Sequence, residues 1–265
     1  MKTLIKNGLV VDPANLVQTH LNLLLEDGKI VAVTEEEPEA DRVIDAAGKV
    51  VAPGFIDIHM HEDPVKDDKI QFCIFDAMLR MGVTTAVGGN CGINVYDPVK
   101  YLDLLERDGA PVNVMMFAGH QYYREAAGAL DKYSPVTEEQ RKMMKKGLEE
   151  ALEAGCVGIS YGLRYVPGTG REEFLDTASC CQKEHRLISA HVRDDEERVF
   201  GAVAEVAEAG KIFDIPVEIS HIGSMAGFGQ MEQLLKQVDG YRMNGMDITS
   251  HIFVLNSSVS NTPIP

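Results

Sequence analysis

Short apolar runs separated by polar turns occupy the first part of the chain. The runs lie at residues 4–11, 21–25, 30–33 and 43–44. Asp27-Gly28 separates two of these runs, and glycine supplies the positive φ that a tight hairpin turn requires. We therefore expect a small β domain over residues 1–52, arranged like a β-sandwich. None of the residues expected to carry chemistry lies within it.

From residue 53 onwards, short β-rich runs are each followed by a stretch with helical periodicity. The candidate strands lie at residues 55–59, 84–88, 112–117, 157–160, 187–191, 217–221 and 247–254. Most of their ends are about 30 residues apart, which is typical of repeated βαβ units. The pattern therefore predicts an α/β fold of the (β/α)8 TIM-barrel type, with parallel strands covered by helices.

Helix boundaries are also visible in the sequence. Residues 137–140 read Thr-Glu-Glu-Gln, a capping box that predicts a helix running to about Ala154 and ending at Gly155. Residues 196–209 are amphipathic and predict a helix that ends at Gly210. Residues 229–243 are similar and predict a further helix.

The strand count falls short of a closed barrel. Residues 53–265 hold seven candidate strands, whereas closure takes eight. We therefore expect an incomplete barrel over residues 53–254, followed by an irregular tail at residues 255–265. An open edge of a sheet needs cover, so a homo-oligomer in which a second copy covers this edge is expected.

Composition excludes several kinds of partner. The net charge of −16 and a pI near 4.9 argue against nucleic acid, whose phosphates would be repelled. No segment approaches the roughly 18 apolar residues of a membrane span, so no membrane partner is expected. The five cysteines form no Cys-x-x-Cys pattern, which favours reduced thiols and a cytoplasmic location.

Metal-binding residue types recur at the ends of the candidate strands. They are His59, His61, Cys91, His120, His191 and His221. The carboxyl ends of barrel strands meet at one rim and carry the chemistry of such folds. His59 and His61 are two positions apart, so on a strand they would share one face. We therefore expect several of these side chains to converge.

His59, His61, Cys91, His191 and His221 together offer four imidazoles and one thiolate. Such ligands suit zinc better than magnesium or calcium, which prefer oxygen. A thiolate can also bridge two metals, so the set could hold one or two zinc ions. Zinc lowers the pKa of a bound water and polarises an amide carbonyl, so the set predicts hydrolysis.

The cysteines also have a purely structural interpretation. Cys91 lies in a glycine-rich turn, residues 88–92, where it could simply be a small residue. The other four cysteines lie in apolar or helical surroundings and are expected to be buried thiols. They are Cys73, Cys156, Cys180 and Cys181.

Five motifs resemble the amidohydrolase superfamily and, within it, the D-aminoacylases (N-acyl-D-amino-acid deacylases). They are Pro-Gly-Phe-Ile-Asp-Ile-His-Met-His at residues 53–61, Gly-Asn-Cys-Gly at 89–92, Gly-Ile-Ser-Tyr-Gly-Leu-Arg-Tyr-Val-Pro-Gly at 158–168, His-Val-Arg at 191–193 and Ser-His at 220–221. The segment Gly-Phe-Gly-Gln-Met at residues 227–231 is also similar. The resemblance covers about residues 1 to 250.

This resemblance implies roles for individual residues. Cys91 would take the place of the modified lysine found elsewhere in the superfamily. With His191 and His221 it would hold a tightly bound zinc, and with His59 and His61 a second, weaker one. The resemblance further implies that Tyr165 and Arg193 line the substrate pocket. The residues to which the resemblance assigns a role are thus Cys91, His191, His221, His59, His61, Tyr165 and Arg193.

The chain also departs from the family pattern. The catalytic aspartate of strand eight would lie beyond Pro265, so no general base is assigned. Gly223 stands where many members carry a lysine that meets the substrate carboxylate. His251-Ile252-Phe253 replaces the usual aspartate, tyrosine and proline. Near Ser250 the sequence thus leaves the family, as a truncated or frame-shifted gene product would.

The resemblance implies zinc-dependent hydrolysis of the amide bond of N-acyl-D-amino acids or D-dipeptides by metal-bound hydroxide. Without the strand-eight aspartate the rate is expected to fall, since losing a general acid or base costs about 10² to 10⁴. One alternative is a non-catalytic zinc-binding fragment. A further alternative is a cyclic-amide hydrolase similar to dihydropyrimidinase, although residues 157–161 lack the lysine used there.

Overall fold

The computed structural model describes residues 1–227 and 229–252. They form two compact units. The first is Met1–Phe55 and the second begins at Ile56.

The first unit is a five-stranded sheet. Its strands are β1 (Lys2–Asp12), β2 (Val17–Glu26), β3 (Lys29–Thr34), β4 (Arg42–Asp45) and β5 (Val50–Val51). They are ordered β3-β2-β1-β4, with β5 also pairing with β1. Asp27 and Gly28 both have positive φ and join the antiparallel strands β2 and β3. The hairpin expected from Asp-Gly is thereby confirmed.

The second unit alternates strands with helices. Its strands are β6 (Phe55–Asp57), which starts at the last residue of the first unit, β7 (Val65–Lys66), β8 (Lys69–Ile70), β9 (Val83–Gly88), β10 (Asn113–Gly119), β11 (Gly158–Gly162), β12 (Leu187–His191), β13 (Val217–Ile219) and β14 (Ile248–Ser250). Its helices are α1 (Ile74–Arg80), α2 (Pro98–Asp108), α3 (His120–Ala126), α4 (Glu138–Glu153), α5 (Arg171–Ala178), α6 (Val199–Phe213), α7 (Ile222–Met225) and α8 (Met231–Met243).

Seven of these strands form one sheet, in the order β14-β13-β12-β11-β10-β9-β6. The pairs from β9 to β14 are all parallel. This arrangement confirms the expected α/β architecture of an incomplete barrel with about seven strands. Among the described residues β6 and β14 lie at the edges of the sheet.

One predicted helix start agrees with the structure, and the bounds predicted for another helix do not. In α4 the capping box is present, because Thr137 Oγ1 accepts the Gln140 N–H (3.2 Å) and Gln140 Oε1 accepts the Thr137 N–H (2.9 Å). The prediction that a helix spans 196–209 is wrong at both ends, since Glu196–Arg198 form a 3₁₀ turn and α6 continues to Phe213. Gly210 lies inside α6, where a Cβ would come within 2.5 Å of Val217 Cγ2. It therefore serves close packing and does not end the helix.

The first strand of the sheet is shorter than predicted. It ends at Asp57, whose Oδ1 accepts the backbone N–H of His59 (3.0 Å). Met60 nevertheless donates its N–H to the Val87 carbonyl (3.2 Å), so the chain stays beside β9 after the strand ends. The histidines therefore lie just beyond the strand and not on it.

The strand predicted at residues 247–254 is β14, which ends at Ser250. Residues 253–254 of that prediction, and the irregular tail predicted at 255–265, lie outside the described residues. Within the described part of the chain, none of the helices combines the length and apolar character needed to cross a bilayer.

The core of the second unit lies between the sheet and its helices. Fully buried side chains come from both layers, which is the packing expected of an α/β fold. The largest of them include Phe75, Tyr101, Phe117, Leu148, Ile159, Tyr161, Phe174 and Ile188.

Candidate metal centre

The five predicted ligands meet at the carboxyl end of the parallel sheet. Cys91, His191 and His221 form one group whose candidate ligand atoms lie within 4.8 Å of one another, and His59, His61 and Cys91 form a second. The Cys91 Sγ is 3.4 Å from His59 Nε2, 3.9 Å from His191 Nδ1 and 3.7 Å from His221 Nε2. Cys91 therefore belongs to both groups. We call these five residues the metal cluster.

A tight turn places Cys91 at the centre of the metal cluster. Asn90–Gly92 form a 3₁₀ turn in which Cys91 has φ 58° and ψ 24°, a left-handed conformation that is costly for a residue with a side chain. A Cβ at Gly162 would overlap the Cys91 carbonyl oxygen. The end of β11 must therefore be glycine for this turn to fit.

Asn90 ties the cysteine turn to the histidine segment. It is fully buried, and its Nδ2 donates to the carbonyl oxygens of Val87 (2.8 Å), Ile58 (3.2 Å) and Met60 (3.4 Å). These last two residues flank His59. One side chain thus fixes the distance between the Cys91 turn and the His59 backbone.

Glu62 makes a second connection between the same segments. It is buried, and it accepts hydrogen bonds from the backbone N–H groups of Gly89 (2.9 Å) and Val95 (2.9 Å) and from Asn94 Nδ2 (3.3 Å). The sequence reasoning missed both Glu62 and Asn90. Each directly adjoins a candidate ligand, and that adjacency was the signal available.

Burial shifts the pKa values of four members of the metal cluster, His59, Cys91, His191 and His221. It lowers the pKa of His59 to about 3 and that of His191 to about 4, with His221 nearby adding to both effects. Burial also lowers the pKa of His221. It raises the pKa of the Cys91 thiol to about 12, and the charge of Glu218 contributes. Neutral imidazoles are ready to bind a metal, whereas the thiol must lose its proton to do so.

The donor set fits a zinc ion. One S–H can donate to only one of the three imidazole nitrogens that lie within 4 Å of Cys91 Sγ, so hydrogen bonding alone does not account for the group. Zinc–sulfur and zinc–nitrogen bonds of about 2.3 and 2.0 Å in a tetrahedron place the ligand atoms roughly 3.5 Å apart. The observed separations of 3.4–3.9 Å are close to that value.

Of the two residues expected to line a substrate pocket, Tyr165 packs against a member of the metal cluster, whereas Arg193 contacts the loop after β11. The Tyr165 ring is 4.4 Å from the His191 ring between centroids and is 39% exposed. Arg193 donates from Nε and Nη2 to the Glu205 carboxylate and from Nη2 to the Thr169 carbonyl (2.8 Å). The hydrogen bond from Arg193 to Thr169 therefore holds the loop after β11. A cavity of about 380 Å³ lies here, lined by Leu163, Arg164, Pro167, Arg193 and Asp194.

His120, the remaining strand-end histidine, lies outside the metal cluster. Its Nε2 is 2.9 Å from Glu173 Oε1, and the same oxygen accepts a hydrogen bond from Arg124 Nε (3.1 Å). All three side chains are buried. His120 therefore belongs to a polar network inside the fold.

The other cysteines differ in exposure. Cys156 and Cys181 are buried, as expected, and Cys180 is half-buried. The expectation of burial is wrong for Cys73, which is exposed at the start of α1. Its Sγ donates to Asp63 Oδ1 (2.9 Å), which also accepts the N–H of Cys73. The exposed Cys73 is thus joined by hydrogen bonds to the buried Asp63.

Comparison with known proteins finds related sequences and solved structures. The amidohydrolase family model matches residues 42–166. An N-acyl-D-glutamate deacylase of Alcaligenes xylosoxydans xylosoxydans is 30% identical over 94% of this chain and 56% of that protein. The chain belongs to the amidohydrolase family. A D-aminoacylase of the same organism is 29% identical over 89% of this chain and 54% of its own length. This amidohydrolase chain thus spans little more than half of either relative.

Solved amidohydrolase structures share the fold. An N-acyl-D-glutamate deacylase of Bordetella bronchiseptica, complexed with zinc and a phosphonate that mimics the tetrahedral intermediate, has a TM-score of 0.83 and 28% identity over 95% of this chain and 58% of its own. A D-aminoacylase with a binuclear metal centre has a TM-score of 0.84 and 26% identity over the same shares. The L-hydantoinase of Arthrobacter aurescens, at 15% identity and TM-score 0.68, shows the fold alone.

Proposed function

We propose that this chain binds one or two zinc ions in the metal cluster and serves the hydrolysis of the amide bond of N-acyl-D-amino acids or D-dipeptides. The observation that carries the proposal is the convergence of Cys91, His191 and His221. These residues are 130 positions apart at their extremes, yet their ligand atoms lie within 4.8 Å of one another. The proposed substrate class is that of the similar proteins, which include deacylases of N-acyl-D-amino acids.

Within this proposal the ligands divide into two sets. Cys91, His191 and His221 are all buried and would hold the tighter ion, whereas His61 is exposed and would help His59 and Cys91 to hold the weaker one. Zinc in this position supplies positive charge that polarises an amide carbonyl and makes a water molecule easier to ionise. The burial that lowers the pKa of His59, His191 and His221 keeps these three imidazoles neutral and so prepares them for this task.

Tyr165 and Arg193 would form the substrate side of the site. Tyr165 is half-exposed against His191, so its ring can flank a substrate that approaches the metal cluster. Arg193 is bound to Glu205 and Thr169, so its proposed role is to hold the cavity wall in place. The small-molecule substrate would occupy the cavity of about 380 Å³ that Arg193 lines.

A second candidate function is zinc binding without turnover. Neither group of candidate ligands among the described residues contains a carboxylate that could act as a general base. Glu218 is a carboxylate in the same part of the fold, but its oxygens already accept hydrogen bonds from His251, Ser189 and Ser220. A homo-oligomer that covers the sheet edges fits either function.

A cyclic-amide substrate receives less support. Strand β11, Gly158–Gly162, contains no lysine, and the hydantoinase likeness reaches only the fold. We also propose a reducing, cytoplasmic setting, which is supported by five cysteines that are all free.

Zinc content per chain tests the site. We expect zinc in the wild type and its loss in Cys91→Ala, because the thiolate is shared by both ligand groups. Cys180→Ala is the matched control, since this half-buried cysteine lies outside the metal cluster, and it should keep the wild-type content. Equal zinc in the wild type and Cys91→Ala would contradict the proposed site.

Release of the amino acid from N-acetyl-D-amino acids, compared with the L-isomers and with hydantoin, tests the chemistry. Turnover of the D-isomers supports the deacylase, and turnover of hydantoin the cyclic-amide alternative. Bound zinc with no turnover of any of these supports the second candidate.

A further inference from the structure

His251 lies beside the metal cluster, although nothing in the strand-end pattern pointed to it as a site residue. Its ring centroid is 4.8 Å from that of His59 and 6.0 Å from that of His221. Its side chain is 17% exposed. A third histidine ring therefore packs against two of the proposed ligands.

The hydrogen bonds of His251 fix which nitrogen carries its proton. The backbone N–H of His221 donates to His251 Nε2 (3.0 Å). A backbone N–H can only donate, so Nε2 must be the unprotonated nitrogen. The ring proton is then on Nδ1, which lies 2.5 Å from Glu218 Oε1 and donates to it.

Glu218 is itself held rigidly. Its side chain is 2% exposed, and its Oε2 accepts hydrogen bonds from Ser189 Oγ (2.7 Å) and Ser220 Oγ (3.0 Å). Both serines are buried. A buried carboxylate with this many donors stays in one orientation, so it fixes the orientation of the His251 ring as well.

The backbone that His251 contacts is strained. His221 has φ 37° and ψ 48°, a left-handed conformation that a residue with a side chain adopts only when its surroundings impose it. In this conformation His221 Nε2 lies 3.7 Å from Cys91 Sγ. The turn is what brings the imidazole to the thiol.

The backbone of residue 251 supports the same turn. Its carbonyl accepts the N–H of Ile222 (3.0 Å), and its N–H donates to the carbonyl of Ile219 (3.4 Å). These bonds remain whatever side chain occupies position 251. A substitution there therefore tests the imidazole alone.

We propose that His251, oriented by Glu218, is a positioning residue that holds the His221 turn and so aims the His221 imidazole at the shared metal position. His251 is not a ligand, because its Nε2 is engaged by the His221 N–H and its Nδ1 by Glu218. The inference rests on the proposed zinc site. Partners that orient metal ligands in this way typically change metal affinity 10- to 100-fold when they are removed.

Two substitutions at residue 251 separate positioning from ligation. In His251→Gln the amide can accept from the His221 N–H through its oxygen and donate to Glu218 through its nitrogen, yet it is a poor zinc ligand. In His251→Leu both hydrogen bonds are lost. His20→Leu is the control, since His20 is exposed on β2.

The measurements are zinc affinity, by competition with a chelator, and the visible spectrum of the cobalt-loaded chain. We expect His251→Leu to bind zinc about 10- to 100-fold more weakly and to show altered cobalt bands. His251→Gln should largely restore both, and His20→Leu should match the wild type. Far-UV circular dichroism confirms that each variant is folded.

Other outcomes are equally decisive. Wild-type affinity in His251→Leu overturns the proposal, and equal weakening in the Leu and Gln variants assigns His251 as a ligand and overturns it too. If wild type and Cys91→Ala both lack zinc, the zinc site itself fails, which is a separate result.

Nitrogen NMR of the wild type gives a test that needs no variant. The His251 ring should carry its proton on Nδ1, and a proton on Nε2 would exclude the hydrogen bond from the His221 backbone. That result would overturn the positioning role even where His251→Leu does not fold.

Discussion

At the scale of single residues, Arg124 shows how much one buried charge can organise. Its side chain is 2% exposed, and its guanidinium donates to Glu173 and to the backbone carbonyls of Ala129 and Asp131. It therefore fixes the loop after α3 and also balances the buried charge of Glu173.

Replacing Arg124 with methionine should be strongly destabilising. The substitution leaves Glu173 buried without its cationic partner, and breaking a buried pair in this way costs about 3–5 kcal/mol. Urea denaturation measures the loss. The control is Arg171→Met, because Arg171 is 62% exposed and pairs with Glu208 at the surface, where changes stay within about 0.5 kcal/mol. Equal losses in the two variants would contradict the interpretation.

Gly162 is a second residue whose effect should be local and large. In Gly162→Ala the new Cβ meets the Cys91 carbonyl oxygen, so the turn that carries Cys91 has to move. We expect weaker zinc binding together with lower stability. Gly240→Ala is the control, since a Cβ at that position in α8 meets no atom within 4 Å, and it should leave zinc binding unchanged. Retention of full zinc affinity in Gly162→Ala would show that the turn tolerates the shift.

At the scale of elements, α4 depends on its first turn. Thr137 and Gln140 satisfy each other's backbone N–H groups reciprocally. Thr137→Ala should lower the free energy of unfolding by about 1 kcal/mol, the usual cost of losing such a cap. A double-mutant cycle with Gln140→Ala checks the mechanism, because the Thr137 hydroxyl also donates to Gln140 Oε1 (3.2 Å), so the effects of the two substitutions should be coupled. Strictly additive losses would mean that the two caps act independently.

The helix ends also show where local signals fail. The capping box of α4 was readable because its two members are three residues apart and act on one turn. The end of α6 could not be predicted in this way. Gly210 lies inside the helix, where it is required by packing against Val217. The helix ends four residues later, at the C-cap Asp214, which has φ 52°. A glycine inside a helix and one after it look alike in the sequence.

At the scale of the whole molecule, the edge strand β6 exposes apolar side chains. Phe55 is 63% exposed and Ile56 is 72% exposed. Among the described residues β6 pairs only with β9, and β14 only with β13. Edges that no strand of the described residues covers favour pairing with another chain, and on this ground we propose self-association.

Sedimentation equilibrium over a range of concentrations measures this self-association. Ile56→Lys should shift the chain towards the monomer, because it places a charge on the exposed edge. Leu130→Lys is the control, since Leu130 is also largely exposed, at 77%, but lies in a loop. A wild-type chain that remains monomeric at all concentrations would rule out the proposed covering of the edge by a second copy.

The sequence by itself determined the alternation of strands and helices and the strand ends at which the candidate ligands lie. Both follow from local rules. Residue periodicity sets the element type, and parallel strands bring their carboxyl ends to one rim. His191 at the end of β12 and Cys91 after β9 were readable in this way. The end of the first strand was not readable in this way. The strand stops before His59 because the side chain of Asp57 accepts the backbone N–H of His59.

Only the tertiary structure decided which polar groups support the ligands. Glu62 and Asn90 bind backbone groups about 30 positions away, and Glu218 meets His251 across 33 positions. No periodicity marks such partners, since they are selected by burial. A polar group removed from water must find a hydrogen-bond partner wherever the fold provides one, and that partner is set by three-dimensional proximity and not by spacing along the chain.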